Sequence, residues 1–287
     1  KTAAGHQPAP TPDRASASAS GLPPARSPRF FAFFARYLRR YLRRSFHRIL
    51  LAEGSAPEAS ADRSTIVVLN HPSWHDPLLC GLLANELFPG RAHHAPIDAE
   101  ALKRYPFLAR LGLFGVDPTT RAGLRSFLRT TDAVLGQRGA MLWITAQGKF
   151  ADVRERPLAL MPGIAHAAAR TSSVRVLPLA LELAFWHERL PEALAAFGAE
   201  IEAPGSRDGV GAPVRDVEAW NRAITAALET TQDRLAGLSI ERREEAFRVV
   251  LQGSRRTDAV FDAWRRLRGW ITGRPYHSGH GDLVRRP

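Results

Sequence analysis

Two histidines and an aspartate stand close together in the stretch NHPSWHDP, at His71, His75 and Asp76. A carboxylate separated from an imidazole by four residues can fold back and accept a hydrogen bond from one ring nitrogen. The other nitrogen is then left to take a proton from a substrate hydroxyl, so the pair is a candidate general base that needs no protein nucleophile. His75 adjoins Asp76 and pairs with it less easily, which assigns the base to His71 and the orienting role to Asp76. Each residue also has a purely structural reading. Asp76 followed by Pro77 is a favoured helix start, and His71 can be a satisfied turn histidine. A zinc site drawing on His71, His75, His93, His94 and Asp98 is the weaker chemical alternative, because these residues show no familiar ligand spacing. No metal is therefore expected. Cys80 is the single cysteine, which excludes an internal disulfide. It falls on a helix face expected to pack on the sheet, where a buried thiol is inert. Ser73 lacks a nucleophile-elbow context, and no GxGxxG, Walker A or GxSxG pattern occurs.

The elements that must hold these side chains follow from hydrophobic pattern. Residues 64–69, 113–116, 140–145 and 174–182 are short apolar runs that read as buried strands, with helical stretches at 77–87, 121–137 and 163–170 between them. This alternation implies an α/β fold, a central, mostly parallel sheet flanked by helices. His71 and Asp76 stand just past a strand end, where open α/β sheets build their sites. A further strand is expected at 199–203, then the loop APGSRDGVGAPV, then helices at 218–235 and 241–251.

Composition bounds the rest. A chain of 287 residues, 45% hydrophobic and 24% charged, holds one large globular domain with extensions. Residues 1–28 are rich in Ala, Ser and Pro and read as a disordered tail. They carry no apolar h-region of a secretory signal, so export is not expected. A net charge of +12 favours anionic partners without choosing among nucleic acid, lipid and acidic protein. The region 29–50 narrows that choice. On a helical wheel Phe30, Phe31, Phe34, Tyr37, Leu38, Tyr41 and Leu42 share one face, while Arg36, Arg39, Arg40, Arg43 and Arg44 fall opposite. Such a helix suits a lipid interface, with aromatic groups at the headgroup boundary and Arg40 and Arg44 among the arginines meeting anionic phosphates. The same pattern suits a helix docked on its own core with a solvated basic face. No apolar run is long enough to span a bilayer, so a peripheral protein on the cytoplasmic face of the cell membrane is expected. Residues 254–287 read as a basic, poorly periodic C-terminal extension.

NHPSWHDP has the form Asn-His-x4-Asp and resembles the first motif of the glycerolipid, or lysophosphatidic acid type, acyltransferases. RLGLFGVDP is similar to the second motif, WITAQGKFADVRERP takes the place of the third, and VLPLALE takes the place of the fourth. The resemblance covers roughly residues 60 to 205, and four ordered blocks are more specific than one His-x4-Asp. It implies an acyltransferase domain over 51–253 that moves a fatty acyl group from coenzyme A or acyl carrier protein to the hydroxyl of a membrane lipid. His71 would be the base and Asp76 its orienter, with no cofactor beyond the acyl thioester as co-substrate. The partners implied are the acyl donor, the lipid acceptor and an anionic membrane surface, with no nucleic acid. Candidate acceptor-binding residues are Asp117, Arg121, Gln147, Gly148, Lys149, Arg154 and Arg156. Three positions depart from the family pattern. Gln147 stands where the third block usually has Glu, Phe150 where it has Arg, and Pro118 where the second block has an Arg after its Asp. The acceptor is accordingly either a lysophospholipid or an unphosphorylated hydroxyl such as that of a glycolipid. Hydrolysis of the thioester by the same pair, and a non-catalytic basic module binding RNA or membrane, are the competing expectations.

Overall fold

Ser27 opens the first helix by accepting a hydrogen bond from the Phe30 N–H at 3.3 Å, with proline in the first turn. The computed structural model describes residues 24–57, 62–171, 174–201 and 216–253. Most of the expected tail, the loop at 203–214 and the C-terminal extension at 254–287 lie outside the described residues. Helix α1 is Pro28–Ser45, and it stops short of residue 50 because Arg48–Ala52 forms strand β1. The chain continues through β2 (Thr65–Leu69), α2 (Asp76–Leu87), β3 (His93–Asp98), α3 (Ala99–Arg104) and β4 (Leu113–Val116). Then follow α4 (Arg121–Leu135), β5 (Met141–Thr145), α5 (Pro162–Arg170), β6 (Arg175–Ala184), β7 (Glu192–Phe197), α6 (Val217–Ile240) and β8 (Phe247–Gln252).

The eight strands of the described residues join one mixed sheet in the order β4-β3-β5-β2-β6-β7-β1-β8. The five strands from β4 to β6 are mutually parallel, β1 is parallel to β7, and the pairs β6–β7 and β1–β8 are antiparallel. The alternation of side chains along β2 assigns its two faces. Ile66 and Val68 pack with α4, α5 and α6, whereas Val67 and Leu69 pack with Cys80, Leu83 and Ala84 of α2. Helices α1 and α2 thus cover one face, and α4, α5 and α6 the other. The chain leaving β2 crosses toward β3, and the chain leaving β5 crosses the opposite way toward β6. The two connections leave on opposite faces of the sheet, α2 on one and α5 on the other, an arrangement at which open α/β sheets build their sites, and His71 and Gln147 stand just beyond those two strand ends.

Beyond β1, further elements differ from expectation or were not expected, each for a local reason. Residues 241–251 do not form a helix; a 3-10 turn at Glu244–Ala246 leads into β8, antiparallel to β1. Its buried residues Phe247 and Leu251 are four apart, a spacing that shares one face in a helix and in a strand alike. Of the strand expected at 199–203, Ile201 makes a bridge to Val176, and residues 202 and 203 lie outside the described residues. Strand β7, EALAAF, reads as helix by propensity yet is buried at every position. It is held to β1 by Glu192, 1% exposed, which accepts from Arg48 Nη2 at 2.9 Å. Strand β3 is masked in sequence by two histidines and Pro96, and its proline lies near the β4 edge of the sheet. Among the described residues no helix is long and apolar enough to cross a membrane.

Candidate active site

Strand β2 ends at Leu69, and Asn70 fastens that end to its neighbour. The Asn70 amide donates to the Leu181 carbonyl at 2.9 Å and its Oδ1 accepts from the Leu181 N–H at 2.8 Å, continuing the β2–β6 ladder with a side chain. The chain then turns and enters α2. His71 Nδ1 lies 2.7 Å from Asp76 Oδ2. A carboxylate only accepts, so Nδ1 carries the proton and Nε2 is the nitrogen left available. The same Oδ2 accepts from the Ser73 N–H at 2.9 Å, which closes the turn. Asp76 is fully buried, while the His71 side chain keeps 16% of its surface. Asp76 Oδ1 is buried without a partner. Asp76 does not cap the helix as the Asp-Pro pattern suggests. It is the first helical residue, its carboxylate is turned back into the turn, and the capping position falls to His75.

His75 belongs to a different environment. Its ring lies 4.2 Å from that of Trp74 and 5.1 Å from that of Phe46, and its Nδ1 is 3.1 Å from Ser73 Oγ. Burial lowers its pKa, against the opposing pull of Asp76. His93 and His94 are core residues. Trp143 Nε1 donates to His93 Nδ1 at 3.3 Å, and His93 Nε2 is 3.2 Å from the Phe88 carbonyl, so both ring nitrogens are occupied. Asp98 caps α3 through the Ala101 N–H. Among the described residues no three His, Cys, Asp or Glu side chains come together as a metal-binding group. Cys80 is buried, and burial raises its thiol pKa well above the usual value.

The loop after β5 lies against the His71 turn. The Ala146 N–H donates to the Leu69 carbonyl at 2.6 Å and the Ala151 N–H to the His71 carbonyl at 3.0 Å. Phe150 sets its ring 4.4 Å from that of His71, tilted by 41°, while remaining 60% exposed. Gln147 is 6% exposed, and its Oε1 is buried without a partner. Gly148 adopts φ +63°, and a Cβ there would come within 2.9 Å of Met161 Cγ, so the turn needs glycine. Lys149 is exposed. The two arginines of this loop are engaged. Arg154 holds Asp152 at 2.7 Å, and Arg156 reaches Asp233 on α6 at 2.5 Å. Two further ties, Leu158 N–H to Glu229 and Gln232 to the Val153 carbonyl, bind the loop to α6.

Asp117 accepts from the Thr119 N–H, the Thr119 hydroxyl and the Thr120 hydroxyl. These bonds, Thr119 foremost, hold its carboxyl below the usual carboxylate range. It is the turn residue before α4, and Arg121 is the exposed first residue of that helix. Both follow β4, three places from β2 in the sheet. Glu182, the last residue of the fourth block, accepts from Ser239 at 2.7 Å, and burial raises its pKa.

The backbone amides at the start of α2, where an oxyanion could be bound, are already used. The amides of Ser73, His75, Asp76, Leu78 and Leu79 donate to Asp76 Oδ2, Ser73 Oγ, the Ser73 carbonyl and the His75 carbonyl. A surface cleft of about 590 Å³, lined by Leu128, Leu135, His166, Arg170 and Val217 among others, lies at the opposite edge of the sheet. That is where α4 and α5 lead back to the amino ends of β5 and β6.

The aromatic face of α1 divides in two. Leu38 and Leu42 are buried against α2, Phe31 stacks on His93, and Phe30, Phe34 and Tyr41 are half-buried. Tyr37, and Phe33 from outside the expected face, are exposed, as are Trp74 and Phe107. Rings touch in sequence from Phe34 through Tyr37 and Tyr41 to Trp74, and from Phe33 through Phe30 to Phe107. Arg40 and Arg44 are exposed. Sequence reasoning gave no site role to Asn70, Phe150, Phe33 or Trp74; Asn70, which opens Asn-His-x4-Asp, and Phe150, which stands where the third block usually has Arg, carried a signal.

Fold and site together define a class, an α/β protein with a histidine–aspartate pair at the carboxyl edge of its parallel strands. Compared with protein-family models and with curated proteins, the chain matches none.

Proposed function

We propose that the protein is an acyltransferase of the glycerolipid acyltransferase type, moving a fatty acyl group from a coenzyme A or acyl carrier protein thioester to a lipid hydroxyl. The observation that carries this reading is the 2.7 Å contact between His71 Nδ1 and a fully buried Asp76, where the chains leaving β2 and β5 part to opposite faces of the sheet. The four ordered sequence blocks support it, since three of them follow or end parallel strands at that same edge. The acceptor oxygen attacks the thioester carbonyl carbon while its proton passes to His71 Nε2. The carbon–sulfur bond then breaks, and the departing thiolate takes the proton from the imidazolium. Asp76 fixes the tautomer and offsets the positive charge as it forms. No protein nucleophile enters the step.

The acceptor's location gives the α1 surface a role. Exposed Phe33, Tyr37 and Trp74 beside exposed Arg36, Arg40, Arg43 and Arg44 match the composition of an interfacial belt on an anionic bilayer. Trp74 lies within the His71 turn, so this docking would bring the site to the lipid surface. A peripheral position on the cytoplasmic face of the membrane follows from this reading.

The test is transfer from radiolabelled palmitoyl thioester to a lipid extract by the wild type and by His71→Ala. The variant is expected to lose about 10²-fold to 10⁴-fold in rate while remaining folded. Undiminished transfer would remove His71 from the mechanism. Label released solely as free palmitate would make the protein a thioester hydrolase. RNA binding with a steep salt dependence and no dependence on His71 would favour the basic module.

A further inference from the structure

We propose that the hydroxyl acylated here belongs to an uncharged lipid alcohol, with no phosphate or other anion beside the reacting oxygen. The inference rests on the acyl-transfer reading and names its acceptor class.

An anionic headgroup held next to His71 needs guanidinium or ammonium groups free to turn toward it. The arginines of the loop after β5 are committed elsewhere. Arg154 grips Asp152 through Nε at 2.8 Å and Nη2 at 2.7 Å, and the charge of Glu182 acts on it as well. Arg156 donates to Asp233 at 2.5 Å and to the carbonyls of Val153 and Glu155 at 3.0 and 2.9 Å. A phosphate entering this region would have to part those pairs, and the carboxylates it displaced would remain beside it. Arg121 offers little. It follows β4, three strands from β2, which is about 14 Å at the usual strand spacing. Lys149 is the remaining cation of the described loop, a single point charge without the fork that grips a phosphate.

What stands beside the reacting nitrogen is aromatic and neutral. Phe150 lies 4.4 Å from the His71 ring with most of its surface open, and Trp74 is exposed on the same turn. Gln147, just past the end of the neighbouring β5, is buried with Oε1 lacking a partner, an uncharged amide that brings no cation for a phosphate. Aromatic faces bind the apolar body of an alcohol or the flat face of a sugar, and neither brings a charge that must be desolvated. The step balances as before: one ester bond forms, one thioester bond breaks, and the hydroxyl proton ends on the released thiol.

The test uses the full chain with radiolabelled palmitoyl-CoA and, separately, palmitoyl acyl carrier protein. Each donor is offered a bacterial lipid extract divided by anion exchange into neutral and anionic fractions. Esterified label is expected in the neutral fraction, in excess over the anionic fraction by about tenfold or more. Phe150→Arg, at an exposed position, is expected to shift label toward the anionic fraction. Equal labelling, or label chiefly in anionic lipid, would overturn the acceptor class while leaving acyl transfer standing. Label found only as free palmitate, or not moved from either donor, would instead remove the acyl-transfer reading and the acceptor class with it.

Discussion

Asn70 carries an arrangement on which His71 and Asp76 depend. Its amide supplies the donor and the acceptor that the β2–β6 ladder lacks once the chain turns away, so the turn begins from a fixed point. Asp76 then uses one oxygen twice, for the Ser73 amide and for the imidazole. Truncation of Asn70 to Ala leaves the buried N–H and carbonyl of Leu181 unpaired. At about 1–3 kcal/mol for each orphaned group, a loss of roughly 2–6 kcal/mol is expected, measured as a lower urea midpoint. Retained stability would show that the ladder extension is dispensable. The proximity of His71 to Asp76 was legible because four intervening residues allow a turn. The role of Asp76 as something other than a helix cap was not legible, since Asp before Pro satisfies the cap pattern equally well.

At the scale of elements, α1 joins two tasks. One edge is structural: Leu38 and Leu42 are buried with Leu79 and Leu82 of α2, and Arg39 pairs with Glu86. The other edge presents Phe33 and Tyr37 in line with Trp74 from the His71 turn. Replacement of Tyr37 and Trp74 together by Ser is therefore expected to weaken binding to phosphatidylglycerol vesicles, read by sedimentation, by about a hundredfold or more, because about 1.5–3 kcal/mol accompanies each large apolar side chain removed from water. The melting temperature should hardly move, since both side chains are exposed in the fold. Equal vesicle binding by the double variant would refute the interfacial role of this edge. Hydrophobic periodicity announced the aromatic face. It did not reveal which ring of that face meets the protein and which meets solvent, because the docking angle of a helix is set by its neighbours.

For the whole molecule, burial of histidines in the sheet couples stability to pH. Burial, aided by the charges of Arg26, Arg91 and His94 and opposed by the Phe88 carbonyl, lowers the pKa of His93 from 6.5 to about 3. His75 and His94 are lowered too, chiefly by burial. The unfolded chain binds protons at these groups below about pH 6.5, and the native His93 refuses its proton until about pH 3. Its stabilising contribution is thus intact above pH 6.5 and is lost as pH falls toward 3, by at most ~1.4 kcal/mol per pH unit. Urea midpoints are expected to fall between pH 7 and pH 5, and His93→Gln should flatten that dependence. An unchanged slope in the variant would mean that other groups govern the acid limb.

Local pattern by itself determined the α/β class, the strand 64–69 ahead of the His71 turn, the helix after Asp76 and the inert burial of Cys80, because each is written in neighbouring residues. Tertiary structure alone decided that 241–251 ends in a strand, since its spacing fits helix and strand alike, and that Ala-rich 192–197, helical by propensity, lies inside the sheet. It also decided that Arg154 and Arg156 are spent on Asp152 and Asp233 and that Phe150 covers His71. Charge can be counted along a chain, but whether a charge is free depends on which distant carboxylate the fold brings to it.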